Sequence, residues 1–214
     1  MTKATFAACL GVLIVTANVC AETSKETALS YVDLGDKFVK LGDLNRAIGA
    51  YNIALQFDPT SAEAYFKRGR AHEVRGDSTK AIGDYTRAIE IVPRLTAAFY
   101  NRGSLRLSQD DLDGALADFD KALENDPEYV VAYNNRGIAR LVKGDVNGAI
   151  EDFNQAIKVN PREPEAYVNL GLVLLQRGRK LEAQHDFDRS LALNPSLRDF
   201  IESRIHQINQ ITQN

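Results

Sequence analysis

The 214-residue sequence has no tryptophan, three histidines and two cysteines. Both cysteines, Cys9 and Cys20, lie near the amino terminus, so the rest of the chain has no thiol to form a disulfide, bind a metal or act as a nucleophile. His72, His185 and His206 are far apart, and the carboxylates are dispersed, so no catalytic constellation is expected and neither a metal nor a cofactor. There is no basic excess: 26 Lys and Arg stand against 29 Asp and Glu, a formal charge of −3, which does not favour nucleic acid. Six prolines and fourteen glycines exclude collagen-like and linker compositions. With 44% hydrophobic and 26% charged residues, the chain is composed for a packed core rather than for disorder.

Residues 1–21 differ from the rest. Lys3 precedes an uncharged run from Ala4 to Val19, shorter than the ~20 apolar residues of a membrane span. The run ends in Val19-Cys20-Ala21 before the polar Glu22-Thr23-Ser24-Lys25. This pattern is that of a secretory leader cleaved after Ala21. A lipid anchor on Cys20 and a retained membrane anchor are the two rival readings. The expected location is extracytoplasmic, with a bacterial periplasm favoured, and no integral span remains after cleavage.

What is present is a period. Pro59, Pro93, Pro127, Pro161 and Pro195 stand 34 residues apart. Gly35, Gly69, Gly103, Gly137 and Gly171 keep the same interval, as do Ala47, Ala81, Ala115, Ala149 and Ala183. Two aromatic columns do likewise: Tyr31, Tyr65, Phe99, Tyr133, Tyr167 and Tyr51, Tyr85, Phe119, Phe153, Phe187. Such self-similarity marks stacked supersecondary units. Within one period, Thr96 to Ser108 predicts a first helix and Leu112 to Glu124 a second, with apolar residues at three- and four-residue spacing. Proline closes the second helix, and Gly42, Gly76, Gly144 and Gly178 suit the left-handed turn between helices; Asp110 stands in their place once. Mid-helix glycine costs about 1 kcal/mol against alanine, so the Gly103 column implies close helix contact.

These columns closely resemble the tetratricopeptide repeat family over Ala28 to Pro195. With each proline counted as position 32, the family's aromatics at 4 and 24, small residue at 8 and alanines at 20 and 27 recur. Ser190 departs at 27, arginines stand at 7, and position 11 is loose, with His72, Arg106 and Arg140. The expected fold is all-α: an α-solenoid of five helix pairs (28–61, 62–95, 96–129, 130–163, 164–195) in a right-handed superhelical segment, after a polar lead over 22–27. A capping helix over 196–214 follows, through Leu197, Ile201, Ile205, Ile208 and Ile211.

Arg68, Arg102 and Arg136 are each followed sixteen residues later by Asp84, Asp118 and Asp152. We read these six as a structural ladder of charge-assisted contacts between helices, with Asp186 expected to reach Arg204 because Leu170 replaces its own arginine. His72, on a packing position, is expected in the core.

The resemblance places positions 2, 5, 6, 9, 12 and 13 of the first helices along a concave groove. Phe66, Lys67, Arg70, Tyr100, Asn101, Asn134, Asn135, Ile138, Asn169 and Leu172 are the candidate peptide-binding residues. Asparagine carries both donor and acceptor and can pair with a peptide backbone; the family also holds asparagine there without a ligand, so both readings stand. Further groove positions are apolar, among them Val32, Val39, Val131, Val142 and Val168. The expected function is a protein–protein interaction scaffold binding an extended or helical apolar segment in cell-envelope assembly. The alternative is a self-associating solenoid filled by another copy.

Overall fold

Periodic glycine and proline divide the chain into short helices, and the structure, a computed structural model, shows where each begins and ends. It describes the backbone of residues 3–212 and the side chains of residues 22–210. The leader read over 1–21, with Cys9 and Cys20, and Ile211 lie outside the described side chains. Among the described residues there are eleven α-helices and no strand, and no helix is long and apolar enough to cross a membrane.

Two units contain these helices. The first, Met1–Arg94, holds α1 (Lys3–Lys40), α2 (Leu44–Phe57), α3 (Ala62–Val74) and α4 (Ser78–Ile91). The second, Leu95–Asn214, holds α5 (Thr96–Ser108), α6 (Leu112–Asn125), α7 (Val130–Val142), α8 (Val146–Val159), α9 (Pro164–Gln176), α10 (Lys180–Leu193), a 3₁₀ turn (Pro195–Leu197) and α11 (Arg198–Thr212). In each unit successive helices pack in pairs, α1 on α2 and α3 on α4, then α5 on α6, α7 on α8 and α9 on α10. The architecture is the tandem helix pairing expected from the period and the all-α solenoid class implied by the family resemblance.

Local chemistry sets the boundaries. Gly42, Gly76, Gly144 and Gly178 take φ between 74° and 89°, and Asp110 is forced to φ 63° at the equivalent turn. The next residue caps the following helix in three cases: the side chains of Asp43, Asp111 and Asp145 accept from the backbone N–H of Arg46, Gly114 and Gly148. Helix α2 stops at Asp58, held extended before Pro59, and α6 stops in the same way at Asp126 before Pro127.

The glycine column is a row of notches. A Cβ built on Gly137 would lie 2.6 Å from Phe153 Cε1, on Gly171 2.7 Å from Phe187 Cε1, and on Gly103 3.0 Å from Phe119 Cε1. Gly69 faces Tyr85 and Gly35 faces Tyr51 in the same manner. All five rings are buried. The two tyrosines also satisfy their hydroxyls, Tyr51 on Asp36 at 2.7 Å and Tyr85 on Glu73. Ala47, Ala81, Ala115, Ala149 and Ala183 are buried beside them.

Helix α11 rests on α9. Among its described residues Ile201 and Ile208 are buried, and Ile201 joins Leu170, Val173, Leu174 and Phe187 in one core, with Leu197 and Ile205 packed at its edge.

Candidate functional site

The arginines at position 7 sit between the paired helices. Arg68 grips Asp84 with Nη2 at 2.6 Å and Nε at 2.9 Å. Arg102 holds Asp118 at 2.7 and 3.0 Å, and Arg136 holds Asp152 at 2.6 and 3.0 Å. Each guanidinium also lies over the aromatic ring three residues earlier, Tyr65, Phe99 or Tyr133, at 5.4–5.7 Å. The hydrogen bonds that Arg68 donates to Asp84 hold its pKa above the ordinary value, against burial. For Arg136, burial opposes the charge and the carboxylates of Asp152 and Asp120 outweigh it.

Position 11, read from the sequence as loose packing, supplies a second cation to the same acid. Arg106 Nη1 lies 2.8 Å from Asp118 Oδ2, and Arg140 Nη1 lies 2.9 Å from Asp152 Oδ2. His72 occupies that place beside Asp84, at 4.0 Å, and its Nδ1 lies 3.4 Å from Asp77. It is buried, as expected, and burial lowers its pKa against the pull of both acids. A repeated interval of twelve residues carried this second contact and was missed.

Asp186 breaks the pattern. Positions 7 and 11 are Leu170 and Leu174, both buried, and among the described residues no arginine forms an ion pair with the acid. The expected partner Arg204 is instead exposed on α11, bonded to Gln207 at 3.0 Å and over the Phe200 ring. The reason is helical phase: Ile201 and Ile208 take the buried face of α11 and turn Arg204 outward. Asp186, only 8% exposed, has His185 Nδ1 at 3.4 Å as its polar contact. Burial pushes its carboxyl above the usual carboxylate range, with Glu182 adding to the rise and His185 and Arg179 opposing it.

A raised carboxyl pKa in the folded state favours folding below the unfolded value and is a liability once pH passes the folded value. Asp186→Asn is therefore expected to melt higher than the parent at pH 7. The advantage should vanish as pH falls below the ordinary carboxylate range. Thermal unfolding at pH 3.5 and pH 7 checks this; an equal or lower melting temperature at pH 7 contradicts it.

The groove candidates are more engaged with the protein than the sequence suggested. Val32 and Val168 are buried core residues, not groove wall, because the neighbouring helix covers them. Phe66 lies against Tyr85, with ring centres 5.7 Å apart, and Tyr100 lies edge-on to Tyr129 at 5.3 Å. Ile138 and Leu172 are half-buried against the core of the second unit. Lys67 is tied to Asp36 at 2.6 Å and Glu63 at 2.7 Å.

The asparagine column forms struts between first helices. Asn135 Nδ2 donates to Tyr100 Oη and Ser104 Oγ, both at 3.2 Å, and Asn169 Nδ2 donates to Asn134 Oδ1 at 2.9 Å. These amide donors are used within the protein. Asn101 is half-buried at the equivalent place on α5.

An open wall remains in the first unit. A cavity of about 440 Å³ lies between α1 and α3, lined by Val39, Leu44, Ala71 and Val74, with Lys40, Lys67 and Arg70 around it. Val74 is 71% exposed and Val39 is 42% exposed. Arg70 makes no ion pair among the described residues. Val74 occupies position 13 of its period, a groove position, so the register that found Val39 could have found it. Among the described residues no group of three or more His, Cys, Asp or Glu could hold a metal.

Comparison with known proteins agrees with this geometry. The "TPR repeat" family matches residues 35–73 and 139–178, and "Tetratricopeptide repeat" families match 62–95, 96–129 and 164–197. No curated protein matches the chain in sequence. The crystal structure of MamA is 27% identical with a TM-score of 0.71, covering 77% of this chain and 96% of that one. YrrB, described as a TPR protein with an unusual peptide-binding site, is 22% identical with a TM-score of 0.68, covering 81% and 90%. PilF of Pseudomonas aeruginosa is 21% identical with a TM-score of 0.70, covering 88% and 93%. Proteins of this fold are generally non-catalytic scaffolds with protein or peptide partners. The matched segments together span well over half of the chain, those over 62–95, 96–129 and 164–197 each coinciding with one helix pair, and the chain belongs to the tetratricopeptide repeat family.

Proposed function

We propose that this chain is a non-catalytic interaction scaffold of five repeats closed by α11, which binds an extended or helical apolar peptide segment along its first helices. Export guided by residues 1–21 and work in cell-envelope assembly complete the reading. The observation that carries the binding role is the apolar cavity between α1 and α3, with Val39 and Val74 left exposed and Arg70 beside them. Contiguous exposed apolar surface is unusual without a partner. The peptide-binding site described for YrrB supports the reading, because that protein is built on the same fold.

Magnitudes favour apolar contact over the asparagines. Asn135 and Asn169 already donate within the protein, and a net hydrogen bond contributes only ~0.5–1.5 kcal/mol. Micromolar binding needs about 8 kcal/mol. That is on the order of 300 Å² of apolar burial at ~25 cal/mol per Å², before ordering costs are met.

Selection of a random peptide display library on the immobilised protein tests this. Apolar segments should be enriched, and Val74→Glu should weaken their binding by about tenfold or more, because it replaces apolar contact area by a charged group that must be desolvated when the segment docks. Because Val74 is so exposed, the melting temperature should not change. Enrichment of polar peptides indifferent to Val74→Glu would overturn the proposal. A dimer in sedimentation that the same substitution dissociates would assign the wall to a second copy.

A further inference from the structure

Two cavities occupy the same place in the period. One, in the first unit, is lined by Ile48, Asn52, Arg68, His72 and Asp84. There the Arg68 guanidinium donates Nη1 to Asn52 Oδ1 at 2.6 Å and forks Nε and Nη2 onto Asp84. Three periods later, in the second unit, a cavity of about 380 Å³ is lined by Ile150, Asn154, Leu170, Leu174 and Asp186, with Arg179 on its wall held by Glu182 at 2.7 and 2.5 Å. The acceptors recur at the same spacing, Asn154 for Asn52 and Asp186 for Asp84. The cation between them does not, because Leu170 and Leu174 stand where Arg68 and His72 do, and Arg179 is engaged by Glu182 instead.

The intervening repeat shows the same chemistry. Arg136 is held by Asp120 at 2.6 Å and by Asp152. Asn154 directs its own amide donor to Ile150 O at 2.8 Å, which leaves its carbonyl oxygen as the acceptor. Exposed Leu181 and His185 border the cavity, so it opens to solvent.

We propose that this cavity between α8, α9 and α10 receives the guanidinium of an arginine side chain from a protein partner, held by Asp186 and Asn154 as Arg68 is held by Asp84 and Asn52. Arginine fits better than lysine because the two acceptors recur at positions that a planar fork already bridges within this protein. The site is separate from the wall between α1 and α3 and does not depend on that reading.

Titration of the full chain with N-acetyl-arginine amide, followed by amide NMR shifts, tests the proposal. Resonances of Asn154, His185 and Asp186 should move saturably at roughly millimolar concentration. The uncharged isostere N-acetyl-citrulline amide should leave them in place, and N-acetyl-lysine amide should bind at least threefold more weakly. Leu170→Arg should supply the guanidinium in cis, abolish the shifts and raise the melting temperature. Asp186→Asn should abolish them without loss of helical circular dichroism. Shifts by citrulline equal to those by arginine, or shifts that persist in folded Asp186→Asn, would overturn the proposal. Tighter binding of free arginine than of the amide would also overturn it, since the occupant would then be a small molecule.

Discussion

Asp118→Asn is expected to destabilise the second unit by about 3 kcal/mol, towards the lower end of what breaking a buried ion pair costs. Asp118 is 2% exposed and accepts from Arg102 Nη2 at 2.7 Å, Arg102 Nε at 3.0 Å and Arg106 Nη1 at 2.8 Å. The substitution keeps the shape and removes the charge, and the new amide group points donors at donors. Two guanidiniums anchored in a partly buried position then lose their common counter-charge. The lower end applies because Arg106 retains some solvent and a bond to the carbonyl of Gly114. Urea unfolding should show a reduced midpoint with an unchanged slope. Asp186→Asn is the control, since the same change at the position without arginine should raise stability at pH 7. If both substitutions cost the same, the arginines are not what makes Asp118 matter.

Phe153→Ala is expected to cost about 3–5 kcal/mol, the range for truncating a fully buried aromatic ring. Phe153 has no exposed surface and belongs to the same core as Val173, Phe187 and Ile201. The informative step is to combine it with Gly137→Ala. Alone, Gly137→Ala places a methyl 2.6 Å from Phe153 Cε1, so one of the paired helices must give. Overpacking of that kind costs about 1–3 kcal/mol, against a gain of about 1 kcal/mol in helix propensity; the net effect is a loss. In the Phe153→Ala background the obstacle is gone, and the same methyl gains its helix propensity and fills part of the void. Gly137→Ala should therefore change sign, from destabilising to stabilising. A double-mutant cycle by chemical denaturation measures the coupling directly. Additive effects would mean that the glycine does not serve the ring.

Much of this was legible in the residues. The columns at Pro59, Gly103 and Phe119 predict where helices end and which two faces touch, because each column answers a local need. A ring requires a notch, a turn requires positive φ, and a helix requires a stop. The sixteen-residue interval from Arg102 to Asp118 was legible for the same reason, since it joins two helices of one hairpin. The twelve-residue interval from Arg106 to Asp118 was equally regular, but an arginine at a packing position reads as a departure until the shared acid is seen.

The contacts that escaped depend on the packing of one hairpin against the next. Asn135 meets Tyr100 and Ser104, and Asn169 meets Asn134, only because adjacent first helices lie side by side at that register. The asparagines therefore act as struts as well as candidate recognition groups. Some of the apolar groove positions are expected to be partly buried against the adjacent repeat; Val32 and Val168 are covered by neighbours, whereas Val74 stands open.

By itself the sequence determined the helical class, the period and the pairing within each hairpin. These follow from short-range rules in which a residue's partner lies at a fixed offset. Tertiary structure alone decided which apolar side chains stay in water and which way α11 turns Arg204. It also decided that Asp186 keeps its burial without its cation. Exposure and charge pairing at those places depend on how neighbouring helices cover a face, and no single repeat encodes that.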